Sequence, residues 1–267
     1  MFEDLSPEKP FFSYLCDKYF YSSESLTFVI CILTTFEITF WTLNLLLLYI
    51  EYNDIPAIDK YRIQKSRPKL RFQPEVVCKI KSETIKYKVL VLCLLPLLYQ
   101  IFKIIGPASI RSPIPSLLTI AWQLSVFMVV EDTVFFWTHY LFHFGWLYKH
   151  IHKKHHIFKQ PTGFVGPLAH PLETLFQNQL GIWLGPCLIK ENHIFILILW
   201  TVIRTYQAIH AHCGYDFPYI TPQYYFRWFY NGPVEHDYHH EYGRMNYASF
   251  FTVWDRLMKT YKIKVKD

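Results

Sequence analysis

The sequence predicts an all-α integral membrane protein, a helical bundle of about four or five membrane segments with a cytoplasmic histidine-rich cap. Three observations support this fold class. The 267 residues are 52% hydrophobic and 19% aromatic, which is more apolar than a soluble domain of this length. Long apolar runs recur along the chain, and basic residues and histidines concentrate between them. We predict that residues 1–267 form one membrane domain.

Five apolar runs predict the membrane segments. The first is about long enough to cross a bilayer, the second is shorter, and the third carries two acids, Glu131 and Asp132, toward its end. Only three residues separate the last two runs, so we expect them to form a tight hairpin of helices. In chain order, the runs are Leu26–Ile50, Val89–Ile105, Ser116–Thr138, Leu172–Ile189 and His193–His210.

Charge predicts the orientation of the bundle. Lysines and arginines crowd the segment Glu51–Lys88, and a basic loop between spans is normally cytoplasmic. Counting the crossings from this loop places every histidine motif on the cytoplasmic side. The net charge of +6 is explained by attraction to anionic lipid next to the membrane and requires no nucleic acid partner. Within the loop, Tyr61–Pro74 is predicted to be a basic linker along the membrane surface.

The histidines repeat one spacing, His-x-x-His-His, at two places, and a third pair precedes the first triplet. On a helix, positions i, i+3 and i+4 share one face, so each triplet should project three imidazoles into one small volume. That is more nitrogen ligands than one tetrahedral zinc needs, and it suits two ions of Fe, Zn, Cu or Ni. The residues concerned are His139, His143, His152, His155, His156, His236, His239 and His240.

Oxygen activation on a lipid is the chemistry these features favour. The chain has no glycine-rich dinucleotide fingerprint, no P-loop and no haem-attachment motif, so a redox reaction would draw its electrons from a separate protein. A basic cytoplasmic face suits an acidic donor. A zinc transporter or metal-storage protein is the alternative, although transport ligands belong within spans rather than beyond their ends. An enzyme-like scaffold without activity is a third reading.

Several motifs together resemble the fatty acid hydroxylase and sterol desaturase superfamily. The resemblance covers roughly Pro56 to the C-terminus and is greatest to the C-4 methylsterol monooxygenases, with cholesterol 25-hydroxylases nearby. We expect the catalytic region at residues 120–260. Besides the triplets, the motifs are Asp132-Thr-x-x-x-Trp-x-x-His139-x-x-x-His143, Ala169-His170-Pro-Leu-Glu173, Ala211-His212-Cys-Gly-Tyr-Asp-Phe-Pro218 and Asn246-Tyr-Ala-Ser-Phe-Phe-Thr-Val-Trp-Asp255.

The resemblance implies an enzyme of the endoplasmic reticulum membrane with a histidine-ligated, non-haem diiron centre. It implies O2 as oxidant and electrons passed from NAD(P)H by cytochrome b5 and its reductase. In the methylsterol branch, a methyl group on sterol carbon four is oxidised stepwise to alcohol, aldehyde and acid. The implied metal ligands are the eight histidines above together with His170 and His212. Cholesterol side-chain hydroxylation, fatty-acyl hydroxylation and sterol desaturation stay open.

Two carboxylates are expected to support the ligands. Asp237 lies inside the second triplet and Asp132 lies on the helix that leads to His139, so both are predicted to accept hydrogen bonds from ligand N–H groups. Ordinary polar surface is the alternative for each. The remaining histidines, His150, His193 and His210, are predicted not to bind metal.

Overall fold

A computed structural model describes residues 9–65, 74–105, 108–166, 168–189, 191–218 and 222–263, and it is mostly helical. The helices are α1 (Phe11–Tyr19), α2 (Glu24–Tyr52), α3 (Pro56–Asp59), α4 (Pro74–Ile105), α5 (Leu117–Phe142), α6 (Gly145–His150), α7 (Pro171–Glu173), α8 (Leu180–Leu188), α9 (Ile194–Ala211), α10 (Pro222–Tyr225), α11 (Pro233–Tyr242) and α12 (Val253–Leu257). Two 3-10 turns cover His152–Ile157 and Gly163–Val165, and a π-helical turn covers Thr174–Gln179. Strands β1 (Ala108–Ser109) and β2 (Asn192–His193) pair in parallel.

Three of the described helices, α2, α5 and α9, are long and apolar enough to cross a membrane. Ser23 and Ser116 begin α2 and α5, and each hydroxyl accepts the backbone N–H three residues later, which satisfies one donor of the first turn. Much of the apolar surface of these helices faces outward: Ile38 is 63% exposed and Leu117 is 85% exposed. Such surface suits lipid as the surrounding solvent, so the chain has the character of a membrane protein.

The other two predicted runs lie in helices of a different kind. Val89–Ile105 is the second half of α4, whose first half carries several charges. The run beginning at Leu172 is divided among α7, the π-helical turn and α8. Neither run forms a helix that is both long and apolar enough to cross a membrane, as α2, α5 and α9 are, so the total of four or five segments stays a prediction. The predicted linker Tyr61–Pro74 falls largely on residues 66–73, outside the described part of the chain.

The core lies where α5 packs between its neighbours. Phe127 of α5 and Trp200 of α9 are almost completely buried, with ring centroids 5.8 Å apart. Gly185 of α8 approaches so closely that a Cβ there would lie 3.0 Å from the Phe127 Cα. The Trp200 Nε1–H donates to the Ile182 carbonyl at 3.0 Å, which joins α9 to α8. These contacts hold α8 and α9 as a hairpin against α5.

The ends of several elements meet at one place below this core. The last turn of α5, the residue after α9, the first 3-10 turn and α11 all contribute to it. Proline at the first position of α11 and Gly243 after its end, with φ of +75°, fix the limits of that short helix. This convergence brings the histidine motifs together.

Candidate metal centre

Nine histidines form two adjacent clusters in the described part of the chain. Within each cluster the nitrogen ligand atoms lie within 4.8 Å of one another. The five-histidine cluster contains His139, His143, His152, His156 and His239. The four-histidine cluster contains His155, His212, His236 and His240.

The structure divides each triplet between the clusters, which the sequence reasoning did not foresee. The triplet on the 3-10 turn gives its first and third histidines to the five-histidine cluster and His155 to the other. The triplet on α11 does the reverse, since only its middle residue, His239, joins the five-histidine cluster. Each triplet therefore bridges the two clusters, and ring centroids of His156 and His240 lie 4.9 Å apart. Two neighbouring metal ions would share the same pair of elements.

Backbone carbonyl groups fix the direction of several imidazoles through Nδ1. A carbonyl oxygen only accepts hydrogen bonds, so an Nδ1 beside one must carry the proton, which leaves Nε2 with a lone pair. Four clustered rings have this arrangement: His139 donates to Tyr247 at 2.7 Å, His155 to Leu168 at 2.9 Å, His212 to Ala208 at 2.7 Å and His239 to Met245 at 2.5 Å. Their Nε2 atoms face the interior of the clusters as acceptors.

The Nε2 atoms converge at short distances. His152 Nε2 is 3.1 Å from His139 Nε2 and 2.9 Å from His156 Nε2, and His212 Nε2 is 3.0 Å from His236 Nε2. His139 and His152 both direct an Nε2 lone pair into their contact, and two lone pairs this close repel each other unless a cation lies between them. Metal–nitrogen bonds of about 2.1 Å at a right angle would separate two donors by about 3.0 Å. The residues therefore fit a pair of histidine-bound metal ions.

Burial keeps these imidazoles neutral, which is the form that binds metal. Desolvation lowers the pKa of His143 to about 2, of His155 to about 4 and of His212 to about 3. Other cluster members also have a pKa well below 6.5. Desolvation is the main cause and repulsion from neighbouring imidazoles the second; these residues are His152, His156, His236, His239 and His240.

Glu173 is a site residue that the sequence reasoning missed. Its Oε1 accepts the His152 Nδ1–H at 2.7 Å, and its side chain is 3% exposed. A carboxylate that holds the second nitrogen of a metal-binding histidine fixes the ring and raises its basicity. The available signal was an acid at the start of an apolar run, because buried acids beside membrane segments are usually functional.

Asp132 has a different role from the one predicted. Its Oδ1 accepts the backbone N–H groups of Ser249, Phe250 and Phe251 at 3.1, 2.7 and 3.0 Å rather than a ligand imidazole. The side chain points from α5 into the loop that follows α11, where these N–H groups have no helical partner. Asp132 thereby holds the loop that contains the Tyr247 carbonyl, the acceptor for His139.

Asp237 also contacts a partner outside the clusters. Its Oδ2 accepts from Gln64 Nε2 at 2.9 Å, and the same amide donates to the Lys159 carbonyl at 2.9 Å. Gln64 ends a short segment in which the Ile63 N–H donates to the Gly214 carbonyl at 3.0 Å. The start of the predicted basic linker therefore contacts α11 beside the histidine clusters.

His170 does not join the clusters. It precedes α7, its Nδ1 accepts the Leu172 N–H at 3.2 Å, and it is partly exposed. Capping the helix turns its ring away from the other imidazoles. His150 stacks on Trp146, and His193 caps α9, so both lie outside the clusters.

His210 is buried but also lies outside the clusters. Its ring stacks on that of Tyr206 one turn earlier in α9, with centroids 5.4 Å apart.

A cavity lies beside the clusters, and a second one adjoins it. The first, the histidine cavity, has a volume of about 30 Å³ and is lined by four clustered histidines, His139, His155, His212 and His236. The second, the apolar groove, has a volume of about 100 Å³ and lies between α2, α4, α8 and α9. Both are lined by Gly166, Asn178, Arg204 and Ala208, which form the junction between them. The apolar groove is therefore adjacent to the cavity that the clusters line.

Comparison with known proteins agrees with this geometry. The sequence profile of the fatty acid hydroxylase family matches residues 124–260, which include both triplets and His139. This chain belongs to the fatty acid hydroxylase family. It is therefore an oxidoreductase of the type that oxidises sterols or other lipids.

The similar proteins act on two kinds of lipid. Methylsterol monooxygenase 1-3 of Arabidopsis thaliana is 37% identical over 216 residues, covering 76% of this chain and 69% of the relative. Very-long-chain aldehyde decarbonylase GL1-11 of Oryza sativa subsp. indica is 39% identical, covering 76% and 74%. C-4 methylsterol oxidase erg25 of Schizosaccharomyces pombe is 36% identical, covering 57% and 51%. No solved structure shows a significant match to this chain.

Proposed function

We propose that this protein is a non-haem diiron monooxygenase of the endoplasmic reticulum membrane that hydroxylates the C-4 methyl group of a methylsterol. The single observation that carries the proposal is the pair of adjacent clusters of convergent, neutral imidazoles beside a cavity that shares four lining residues with an apolar groove. When bound, two iron ions would supply the activation of O2 for oxidation of an unactivated C–H bond.

The number of ligands favours iron in the five-histidine cluster. A structural zinc site takes four ligands in a closed tetrahedron, and five converging imidazoles exceed that number. Imidazole suits iron as well as zinc, so the donor type alone does not choose between them. His139, His143, His152, His156 and His239 would hold one ion, and the four-histidine cluster would hold the other.

The apolar groove supports a lipid substrate that approaches from the membrane. Its walls include Ile32, Phe36, Leu95 and Trp183, which offer a long hydrocarbon little except apolar contact. Burial of that hydrocarbon would position its reactive carbon at the junction, near the clusters. The groove thus excludes water along the path, and the histidine cavity receives the end of the molecule that is oxidised.

The surface beside the first triplet supports a separate electron donor. Lys149, Lys153 and Lys154 are exposed, and the last two lie between His152 and His155 in the chain. A positive surface next to a metal centre attracts an acidic partner and orients it during encounter. We therefore propose that a cytochrome b5-type protein docks on this cytoplasmic face and passes electrons that originate from NAD(P)H.

Product analysis tests the proposal. Membranes containing the protein would be incubated with O2, NADH, cytochrome b5, its reductase and one lipid from a panel of 4-methylsterols, cholesterol and fatty acyl lipids. We expect new oxygen on the C-4 methyl carbon. His155→Ala should abolish the product, whereas the matched variant His150→Ala, outside both clusters, should retain it.

The other outcomes are equally informative. Oxygen on the cholesterol side chain or on an acyl chain would refute the methylsterol substrate and retain the lipid monooxygenase. Tightly held zinc with no oxidised lipid under any condition would favour a metal-binding membrane protein instead. If the purified protein contains zinc but oxidises lipid again once iron is restored, the zinc does not count against the proposal.

A further inference from the structure

A buried ion pair lies between α5 and α9 and takes no part in the two clusters. Arg204 Nε is 2.6 Å from Glu131 Oε1, and the side chains are 9% and 1% exposed. Among the described residues, Glu131 is the only ionic partner of Arg204, and Arg204 Nε is buried without a well-aligned hydrogen bond. A charged side chain within a membrane segment is costly and usually has a functional role.

Arg204 lies where the two cavities meet. It lines the histidine cavity, together with His139 and His212, and it also lines the apolar groove. The junction is tight, since a Cβ on Gly166 would lie 2.9 Å from the Ala208 carbonyl oxygen. Arg204 therefore lies at the boundary between the groove and the cavity that the clusters line.

The chemistry of the guanidinium specifies what it would bind. Arginine offers five N–H donors in a planar fork and has no acceptor. The contact with Glu131 is through Nε, and the other guanidinium nitrogens can donate to a further acceptor. In a poorly solvated cavity an unpaired donor is costly, so an oxygen acceptor on a ligand is strongly favoured there.

We propose that Arg204 is a binding subsite for a carboxylate or carbonyl oxygen of a lipid whose hydrocarbon lies in the apolar groove. The inference rests on the proposed function, because it concerns the same cavity and its substrate. A carboxylate binds most tightly, since it brings a full negative charge to the guanidinium. The site consequently retains a lipid that has been oxidised next to the clusters better than the unoxidised form.

Equilibrium binding without turnover tests this inference. The detergent-solubilised full-length protein would be titrated with two matched pairs, a 4-methylsterol and its 4-carboxylic acid, and hexadecanol and hexadecanoic acid. We expect one acid to bind at least about tenfold more tightly than its neutral partner, as hydrogen bonds to a charged group predict. Arg204→Gln should remove that difference and leave the neutral lipid's affinity within about twofold.

Three further variants keep the test decisive. Arg111→Gln is the matched control, because Arg111 pairs with Asp17 and Glu24 and lines neither cavity. Glu131→Gln removes the competing carboxylate and should tighten acid binding by a few-fold. The double variant Glu131→Gln/Arg204→Gln removes both charges, so it gives the result if Arg204→Gln alone does not fold.

The outcomes separate this inference from the proposed function. Equal affinity for acid and neutral lipid in the wild-type protein would overturn the inference, as would an acid preference that survives in the double variant. A preference for the sterol acid supports the inference with the sterol substrate. A preference for hexadecanoic acid alone supports Arg204 as the subsite and contradicts the methylsterol proposal.

Discussion

At the scale of single residues, an acceptor beside Nδ1 decides what the Nε2 of five clustered imidazoles can bind. Carbonyl oxygens of Tyr247, Leu168, Ala208 and Met245 each take an Nδ1 proton and so direct an Nε2 lone pair inward. Glu173 does the same for His152 with a carboxylate. The histidines form the candidate metal centre, and these acceptors set the tautomer and the direction of five of its nine rings.

Glu173→Gln tests this role. A glutamine of the same size retains an oxygen acceptor but loses the negative charge that raises the basicity of His152. We expect metal affinity to fall about 10- to 100-fold with the fold retained. Metal content after dialysis against a graded chelator series measures the change, with circular dichroism as the check on folding.

Glu191→Gln is the control for this substitution, since Glu191 is exposed and outside the clusters. Unchanged metal retention in Glu173→Gln would show that the contact with His152 does not support a ligand.

At the scale of elements, two carboxylates shape the loop after α11. The Asp132 Oδ1 holds three successive N–H groups, and Asp255 holds the two before them, accepting Tyr247 N–H and Ala248 N–H at 2.9 Å each. Five consecutive backbone donors are thus satisfied without a helix or strand. This loop presents the Tyr247 carbonyl to His139. A segment that contributes no clustered histidine therefore orients one.

Asp132→Asn tests the loop. The asparagine amide keeps one acceptor oxygen, but that oxygen carries no negative charge. Hydrogen bonds to a charged group are worth roughly 1.5–3 kcal/mol. We expect the free energy of unfolding to fall by about 2 kcal/mol and metal content to fall with it. Thermal unfolding in detergent and metal analysis measure the two effects. A variant as stable as Glu191→Gln and fully metallated would contradict this role.

At the scale of the whole molecule, the bundle places a polar, ionisable centre at the inner end of an apolar path. The groove between α2, α4, α8 and α9 meets the histidine cavity at four residues, among them Arg204 and Gly166. The outward faces of α2 and α5 remain apolar. Packing of α5 against α8 and α9 therefore separates lipid-facing surface from a centre that is shielded from water.

Burial of so many imidazoles predicts that the metal-free protein is least stable in acid. Their folded pKa values are depressed, so below about pH 6.5 the unfolded chain binds protons that the folded chain does not. Stability is therefore lost as the pH falls from about 6.5 toward 4, the pKa of His155 being about 4. Burial also raises the pKa of Glu173, Glu235 and Asp255; these carboxyl groups oppose the trend but are fewer than the buried imidazoles.

Thermal unfolding of chelator-treated protein at pH 8, 7, 6 and 5 measures this dependence. We expect a nearly constant midpoint from pH 8 to 7 and a decline below pH 6.5. A midpoint that rises on acidification would contradict the neutral state of the clusters. The same series with iron bound should decline more steeply, because protons then also compete with the metal.

The sequence by itself determined the helical class, the three apolar runs that form α2, α5 and α9, the histidines of the two triplets and the family. Hydropathy, residue spacing and motif order are properties of the chain, so no contact between distant residues is needed to read them. It also contained the charge of Arg204 within the last apolar run, a signal that the sequence reasoning did not use.

Only the tertiary structure decided how those residues are grouped. The spacing predicted one face per triplet, but the first triplet lies on a 3-10 turn and both triplets are divided between the clusters. His170 was predicted as a ligand and instead caps α7, whereas Glu173, three residues later, contacts His152. Asp132 was predicted beside a ligand and holds a loop more than a hundred residues away in sequence. The contacts of Asp132 and Glu173 depend on which groups distant in sequence need a partner once the helices pack, and local spacing carries no information about that.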